Sequence, residues 1–267
     1  MRFAAIQGSV RIAYDVLGMG APLVMLHDFG ESSGFWYETG CVEACLAHGR
    51  QVVLVDLRGH GVSSKPSDPD CYAPSICARD VLAVLDDAAI VSADFLGYGS
   101  GGRLALRMAA MAPERVHAVA AGGAHPFAER TELCREALAK GLEPWVKLVE
   151  ARAGSVSASR RSRLRANEPA ALRAAVAADR PDMSDAVARS GVPILLFLGK
   201  NDPRYPLALS FAERSAARVM GLAEHDFQSA AGAVVQILPR ILAFFDEPEQ
   251  TVPNEHPPLG LWSGFWS

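Results

Sequence analysis

Aromatic side chains are scarce in this chain, at 7% of 267 residues, and the formal net charge is only −4. So small an imbalance gives no reason to expect nucleic acid or an anionic membrane as a partner. No apolar run approaches the roughly 20 residues of a membrane span, and Met1-Arg2-Phe3-Ala4 lacks the charged and apolar regions of a signal peptide. The expectation is a cytoplasmic protein. Five cysteines, an odd number, do not make a framework of bridges. Cys41 and Cys45 stand four apart on one face of an expected helix, as buried small hydrophobes or as a metal or redox pair. There is no internal repeat, and no metal or organic cofactor is implied. Half the residues are hydrophobic, enough for one sizeable packed α/β domain.

What is present is alternation. Residues 3–17 alternate around Gly8-Ser9 as a β-hairpin does. Leu23-Val24-Met25-Leu26 and Val52-Val53-Leu54-Val55 are short continuous apolar runs, the pattern of strands buried on both faces. A helix carrying Trp36 is expected between them, and an amphipathic helix over 74–89. A short apolar strand from Ala93, a helix to about Ala112 stopped by Pro113, and a strand over 116–121 follow. Strands separated by helices through short loops imply βαβ units and a mainly parallel sheet. From 125 to 190 no convincing strand is found, and alanine, arginine and glutamate dominate; this reads as a helical cap inserted between core segments 1–124 and 191–246. Within it, Arg160, Arg161, Arg163 and Arg165 read as a solvated helix face rather than an anion site. The sheet resumes over 193–199, with a helix over 207–217, a strand over 218–222 and a final helix over 230–245. The tail, 247–267, is rich in proline and tryptophan. It docks on the body or on a second copy of the chain, which leaves a homodimer open, or else is disordered.

The centre of the chain is Ala93-Asp94-Phe95-Leu96-Gly97-Tyr98-Gly99-Ser100-Gly101-Gly102, an apolar strand, a glycine-packed turn and a helix start. It has the layout of a nucleophile elbow, G-x-S-x-G. Laid on the chain, that pattern puts Gly99 at the apex and Ser100 one place late. With the strand ending in His27, the turn Asp56-Leu57-Arg58-Gly59-His60-Gly61, the acid turn Gly199-Lys200-Asn201-Asp202-Pro203 and a late histidine, the chain resembles the α/β-hydrolase superfamily. The likeness is to small esterase and lactonase-like members with a short cap, and it runs to about residue 246.

The resemblance implies a nucleophile, acid, histidine order. It assigns Asp202 as the acid that orients the base and His225 as the base, although Glu224-His225 replaces the usual Gly-His. His27 and His60 belong to structural turns. Oxyanion donors are expected from the N–H groups of Ser100 and Phe29. The usual His-Gly pair has become His27-Asp28, and an inward Asp28 carboxylate opposes a developing oxyanion. A small-molecule substrate is expected above Gly99, under cap residues such as Leu142 and Trp145, with Phe29, Tyr98, His125 and Trp145 as contacts. Glycine takes the strained apex angles at little cost, which relaxes the turn and removes the nucleophile. Three explanations follow: an ester or lactone hydrolase whose serine has been replaced; Ser100 as a displaced nucleophile; or His225 and Asp202 as a non-covalent base pair for lyase, cyclase or cofactor-independent oxygenase chemistry. A non-catalytic ligand-binding member is the reading from a different class.

Overall fold

The structure is a computed structural model of the chain, and it describes residues 1–6, 8–153 and 156–247. The tail assigned from sequence lies, from residue 248 onward, outside the described residues. Eight strands form one sheet: β1 (Arg2–Ala5), β2 (Arg11–Leu17), β3 (Pro22–Leu26), β4 (Gln51–Val55), β5 (Ala93–Tyr98), β6 (Val116–Gly122), β7 (Ile194–Gly199) and β8 (Arg218–Leu222). Their order is β1-β2-β4-β3-β5-β6-β7-β8. The hairpin pairs β1 with β2 antiparallel, with Phe3 opposite Ala13, and β2 runs antiparallel to β4. All remaining pairings are parallel. The chain steps from β3 outward to β4, then back across to β5, so β3 and β5 flank the point where strand order reverses. A crevice opens there at the carboxyl ends of the strands, the usual ligand position in open α/β sheets.

The described helices are α1 (Gly34–Glu38), α2 (Cys41–Ala47), α3 (Pro74–Asp87), α4 (Ser100–Met111), α5 (Glu132–Ala139), α6 (Leu142–Ala153), α7 (Ala158–Arg165), α8 (Pro169–Ala175), α9 (Ser184–Ala188), α10 (Tyr205–Ala212), α11 (Phe227–Gly232) and α12 (Val234–Phe245). Two expectations shift. The helix expected over 230–245 is two pieces, because Asp226 caps a separate short helix by accepting the N–H of Ser229 at 2.8 Å. The helix expected over 207–217 stops at Ala212.

Alternation along the strands sorts the core into two layers. Val24, Leu26, Val53 and Phe95 pack with Val81, Val84 and Leu106 of α3 and α4. Leu23, Met25, Leu54 and Leu96 pack with Trp36, Cys41, Cys45 and α12 residues such as Val234 and Ile241 on the other face. Both cysteines are free and buried, and burial pushes their thiols up to about 11 and about 12, so they behave as small hydrophobes.

Between β6 and β7, helices α5 to α8 enclose a third cluster of Leu138, Trp145, Val146, Leu164 and Leu172, with Phe29 packed against it. A single β-bridge, Glu129 with Arg180, also forms there. The arginine cluster is only in part a solvated face, with Arg165 exposed and the other three half-buried. Arg160 and Arg163 of α7 reach the buried Glu31 carboxylate at 2.6 and 2.8 Å, and Arg163 also pairs with Glu38 at 2.5 Å. Arg161 pairs with Glu150 and Arg165 with Glu143. Arg160 and Arg163 thus fasten α7 to the loop after β3, and Arg161 and Arg165 hold it to α6.

Candidate active site

The turn between β5 and α4 keeps the elbow shape without its nucleophile. Gly99 sits at φ 53°, ψ −115°, a conformation that costs a residue with a side chain about 1–3 kcal/mol. Its N–H donates to the Gly122 carbonyl at 2.8 Å. A side chain at Gly101 would collide with the Leu26 carbonyl, so α4 starts directly against the end of β3. Glycine therefore did not relax this turn. The packing of α4 on β3 and β5 holds it.

Asp28, at the end of β3, decides what the apex can do. Its Oδ1 accepts the Ser100 N–H at 2.8 Å. That N–H is one of the two expected oxyanion donors, and an internal carboxylate occupies it. A Cβ built on Gly99 would lie closer to Oδ1, Cγ and Oδ2 of Asp28 than real Cβ atoms come to any neighbour. One side chain thus fills the nucleophile position and takes up the Ser100 donor. Burial raises the Asp28 pKa, opposed by the Ser100 N–H and by the charges of Arg180 and Arg160. Ser100, the displaced-nucleophile candidate, offers its hydroxyl oxygen to Nη2 of Arg180 at 2.7 Å. A guanidinium accepts no proton, so that contact does not activate the hydroxyl.

At the other side of the crevice, the acid and the histidine are present but not joined as a catalytic pair. Asp202 is 1% exposed after β7, and its carboxylate accepts Nε and Nη2 of Arg204 at 2.9 and 3.0 Å. It also accepts the Arg204 backbone N–H at 2.9 Å. Nδ1 of His225, the nitrogen expected to face the acid, instead bonds to the Ala223 carbonyl at 2.6 Å. The His225 carbonyl is anchored by the Asn201 N–H at 2.9 Å, and Glu224 before it takes φ 58°. The expected Asp202–His225 bond is replaced because Arg204 supplies a permanent charge two residues away, with the fork geometry a carboxylate prefers. The Arg204 guanidinium lies 4.0 Å over the ring of Phe227, a cation–π contact. Phe227, not His225, reaches the cavity wall.

The cavity above Gly99 is about 700 Å³, with Asp28, Phe29, His125, Trp145, Arg180 and Phe227 among its lining. His125 is 3% exposed and its Nδ1 has no hydrogen-bond partner. Burial lowers its pKa to about 4, so the ring is neutral. Trp145 meets Phe29 edge-on at 5.6 Å. Tyr98 is a correction among the expected contacts: strand alternation turns it into the core beneath, where its hydroxyl donates to the Phe227 carbonyl. Arg180 bonds to Glu129 at 3.0 Å as well as to Ser100, which puts a cation beside Asp28. Sequence reading missed Arg204, Phe227, Glu129 and Arg180. For the first two the signal was a two-residue offset from Asp202 and His225; for the cap pair there was none. Among the described residues, no group of three or more His, Cys, Asp or Glu is placed to hold a metal ion, and no helix is long and apolar enough to cross a membrane.

Sheet order, elbow and crevice are those of one family, and the family model described as the alpha/beta hydrolase fold matches residues 21–194. The chain belongs to that family. It is 33% identical over 119 residues to bifunctional epoxide hydrolase 2 of Sus scrofa, 44% of this chain and 21% of that protein. The match thus spans about a fifth of that relative's length. Among solved structures, the enol-lactonase of Burkholderia xenovorans LB400 superposes with a TM-score of 0.80 at 22% identity, over 92% of this chain and 100% of that one. The bottromycin epimerase BotH, solved with bottromycin A2, superposes with a TM-score of 0.78 at 21% identity, over 91% and 98%. At these identities the likeness is one of fold.

Proposed function

We propose that the protein binds a small carbonyl compound in the cavity above Gly99 and acts on it without a covalent enzyme intermediate, with Asp28 as the proton-transfer group. The observation behind this reading is the Asp28 carboxylate seated on the Ser100 N–H, over an apex with no side chain. A tetrahedral oxyanion formed there would meet a carboxylate where a free donor is needed, which disfavours acyl transfer. The same carboxylate, its pKa raised by burial, suits general-base chemistry. Asp28 removes the proton from a carbon next to the carbonyl; the C–H electron pair becomes a carbon–carbon double bond and the carbonyl π pair moves to oxygen, giving an enolate beside the Arg180 cation. The carboxylic acid then returns the proton to the same or the opposite face. That is isomerase-type or epimerase-type chemistry, and an epimerase is among the solved structures of this fold.

The test follows deuterium incorporation from D₂O into a panel of small ketones, esters and lactones. The expected result is exchange catalysed by the protein, insensitive to a serine-directed phosphonate, and at least about 100-fold slower in Asp28→Asn. Unchanged exchange in Asp28→Asn, or covalent labelling by the phosphonate, overturns the reading. Ligand binding with neither exchange nor hydrolysis selects the second reading, a binding protein, which the Asp202–Arg204 pair favours because it leaves the histidine without an acid.

A further inference from the structure

A second cavity of about 520 Å³ lies on the α3 side of α4, apart from the space above Gly99. Phe29, Ser100, Arg103 and Arg180 border both, so the two adjoin across the Ser100–Arg180 hydrogen bond. Val81, Leu104 and Tyr72 supply apolar wall. Most polar groups around it are already engaged. Arg58 holds Asp80 at 2.7 and 2.5 Å, the Tyr72 hydroxyl donates to the Pro66 carbonyl, and Asp179 takes the Thr131 N–H and Arg135. Arg103 donates to the His125 and Phe127 carbonyls, and Asp70 stands exposed at the rim.

Two groups are left over. Arg107, half-buried on α4, has no hydrogen bond or ion pair among the described residues. Burial alone lowers its pKa, with no carboxylate set against it. His60 is 4% exposed, and its Nε2 has no partner. Its Nδ1 lies 2.9 Å from the Arg58 carbonyl, which only accepts, so Nδ1 carries the proton. Burial lowers the ring's pKa to about 3, leaving it neutral with a bare acceptor at Nε2. A cation without a counter-ion and a buried acceptor without a donor both cost free energy in an apolar cavity. One ligand relieves both.

We propose that this second cavity binds an apolar hydroxy-carboxylic acid, its carboxylate paired with Arg107 and its hydroxyl donating to Nε2 of His60. The site goes beyond the chemistry assigned to Asp28 and does not depend on it.

Calorimetric titration of the whole protein with 8-hydroxyoctanoate, octanoate and octan-1-ol tests it. Binding is expected in the order given, with octanoate about fivefold weaker than its hydroxylated homologue, the value of one hydrogen bond. Arg107→Gln weakens both carboxylates about tenfold and leaves octan-1-ol unchanged. His60→Phe removes the preference for the hydroxyl; should that buried replacement fail to fold, Arg107→Gln still decides the carboxylate. Asp28→Asn leaves all three affinities unchanged, whatever it does to turnover. The proposal is overturned if Arg107→Gln leaves carboxylate binding intact, if no carboxylate binds below millimolar, or if Asp28→Asn abolishes binding and so places the ligand above Gly99.

Discussion

The two sides of the crevice differ from a hydrolase site in opposite ways. On the β5 side the backbone has the shape of a nucleophile elbow, with Gly99 at φ 53°, ψ −115°, but its apex carries no side chain. On the β7–β8 side the side chains Asp202 and His225 are present, but they are not hydrogen-bonded to each other. Elbow geometry is held by helix-to-strand packing, which the whole core supports, so a side chain can be lost without moving it. A hydrogen-bonded pair has no such support: one competing cation at the right distance takes the acid away. Asp28 fills the space where a side chain at Gly99 would stand.

The largest effect is expected where charge is most deeply committed. Arg204→Ala leaves the Asp202 carboxylate buried without its partner and should cost about 3–5 kcal/mol, read as a lowered midpoint in urea unfolding. If the freed carboxylate instead captures His225 and a pH-dependent esterase activity appears, the β7–β8 side was one contact from competence.

Next comes the elbow. Gly99→Ser should destabilise by about 3 kcal/mol, from backbone strain and the clash with Asp28, and should not create an ester hydrolase. Pairing it with Asp28→Gly removes the clash, yet phosphonate labelling is still expected to fail, since His225 has no acid. Rapid labelling of that double variant would show that the two sides are less independent than their geometry implies.

A smaller effect concerns pH. In the folded protein His125 and His60 stay neutral down to about pH 4 and about pH 3, both through burial, whereas unfolded imidazoles protonate near 6.5. Below about 6.5 the unfolded chain therefore binds more protons. Stability is full above that pH and falls as pH drops toward 4, with His125 contributing on the order of 2 kcal/mol. Thermal melts across this range should be flatter for His125→Phe than for the parent.

The smallest effect is the most pointed. His225→Ala should change stability by less than about 0.5 kcal/mol and leave any proton-transfer activity intact, because its ring contacts the Ala223 carbonyl and not the acid. A loss of activity of several orders of magnitude would restore His225 as the base.

The sheet, its strand limits and the elbow were legible in the chain. Runs such as Leu23-Val24-Met25-Leu26 suit strands covered on both faces, and Gly97, Gly99 and Gly101 mark where a helix must approach a strand edge. These are local signals, set by periodicity and by steric demands within a few residues. The candidate site was legible only as a list. Asp28 was a recognisable departure, but whether its carboxylate faced inward depended on an N–H group 72 residues away. The choice of Asp202 between Arg204 and His225, and the anchoring of Arg160 and Arg163 on Glu31, 129 and 132 residues distant, are contests among partners that sequence spacing does not rank. Composition and pattern specified the scaffold, since burying apolar faces leaves few alternatives. Which polar groups meet in the crevice was decided by tertiary packing, because charge pairing turns on separations of an ångström or two that only the folded chain defines.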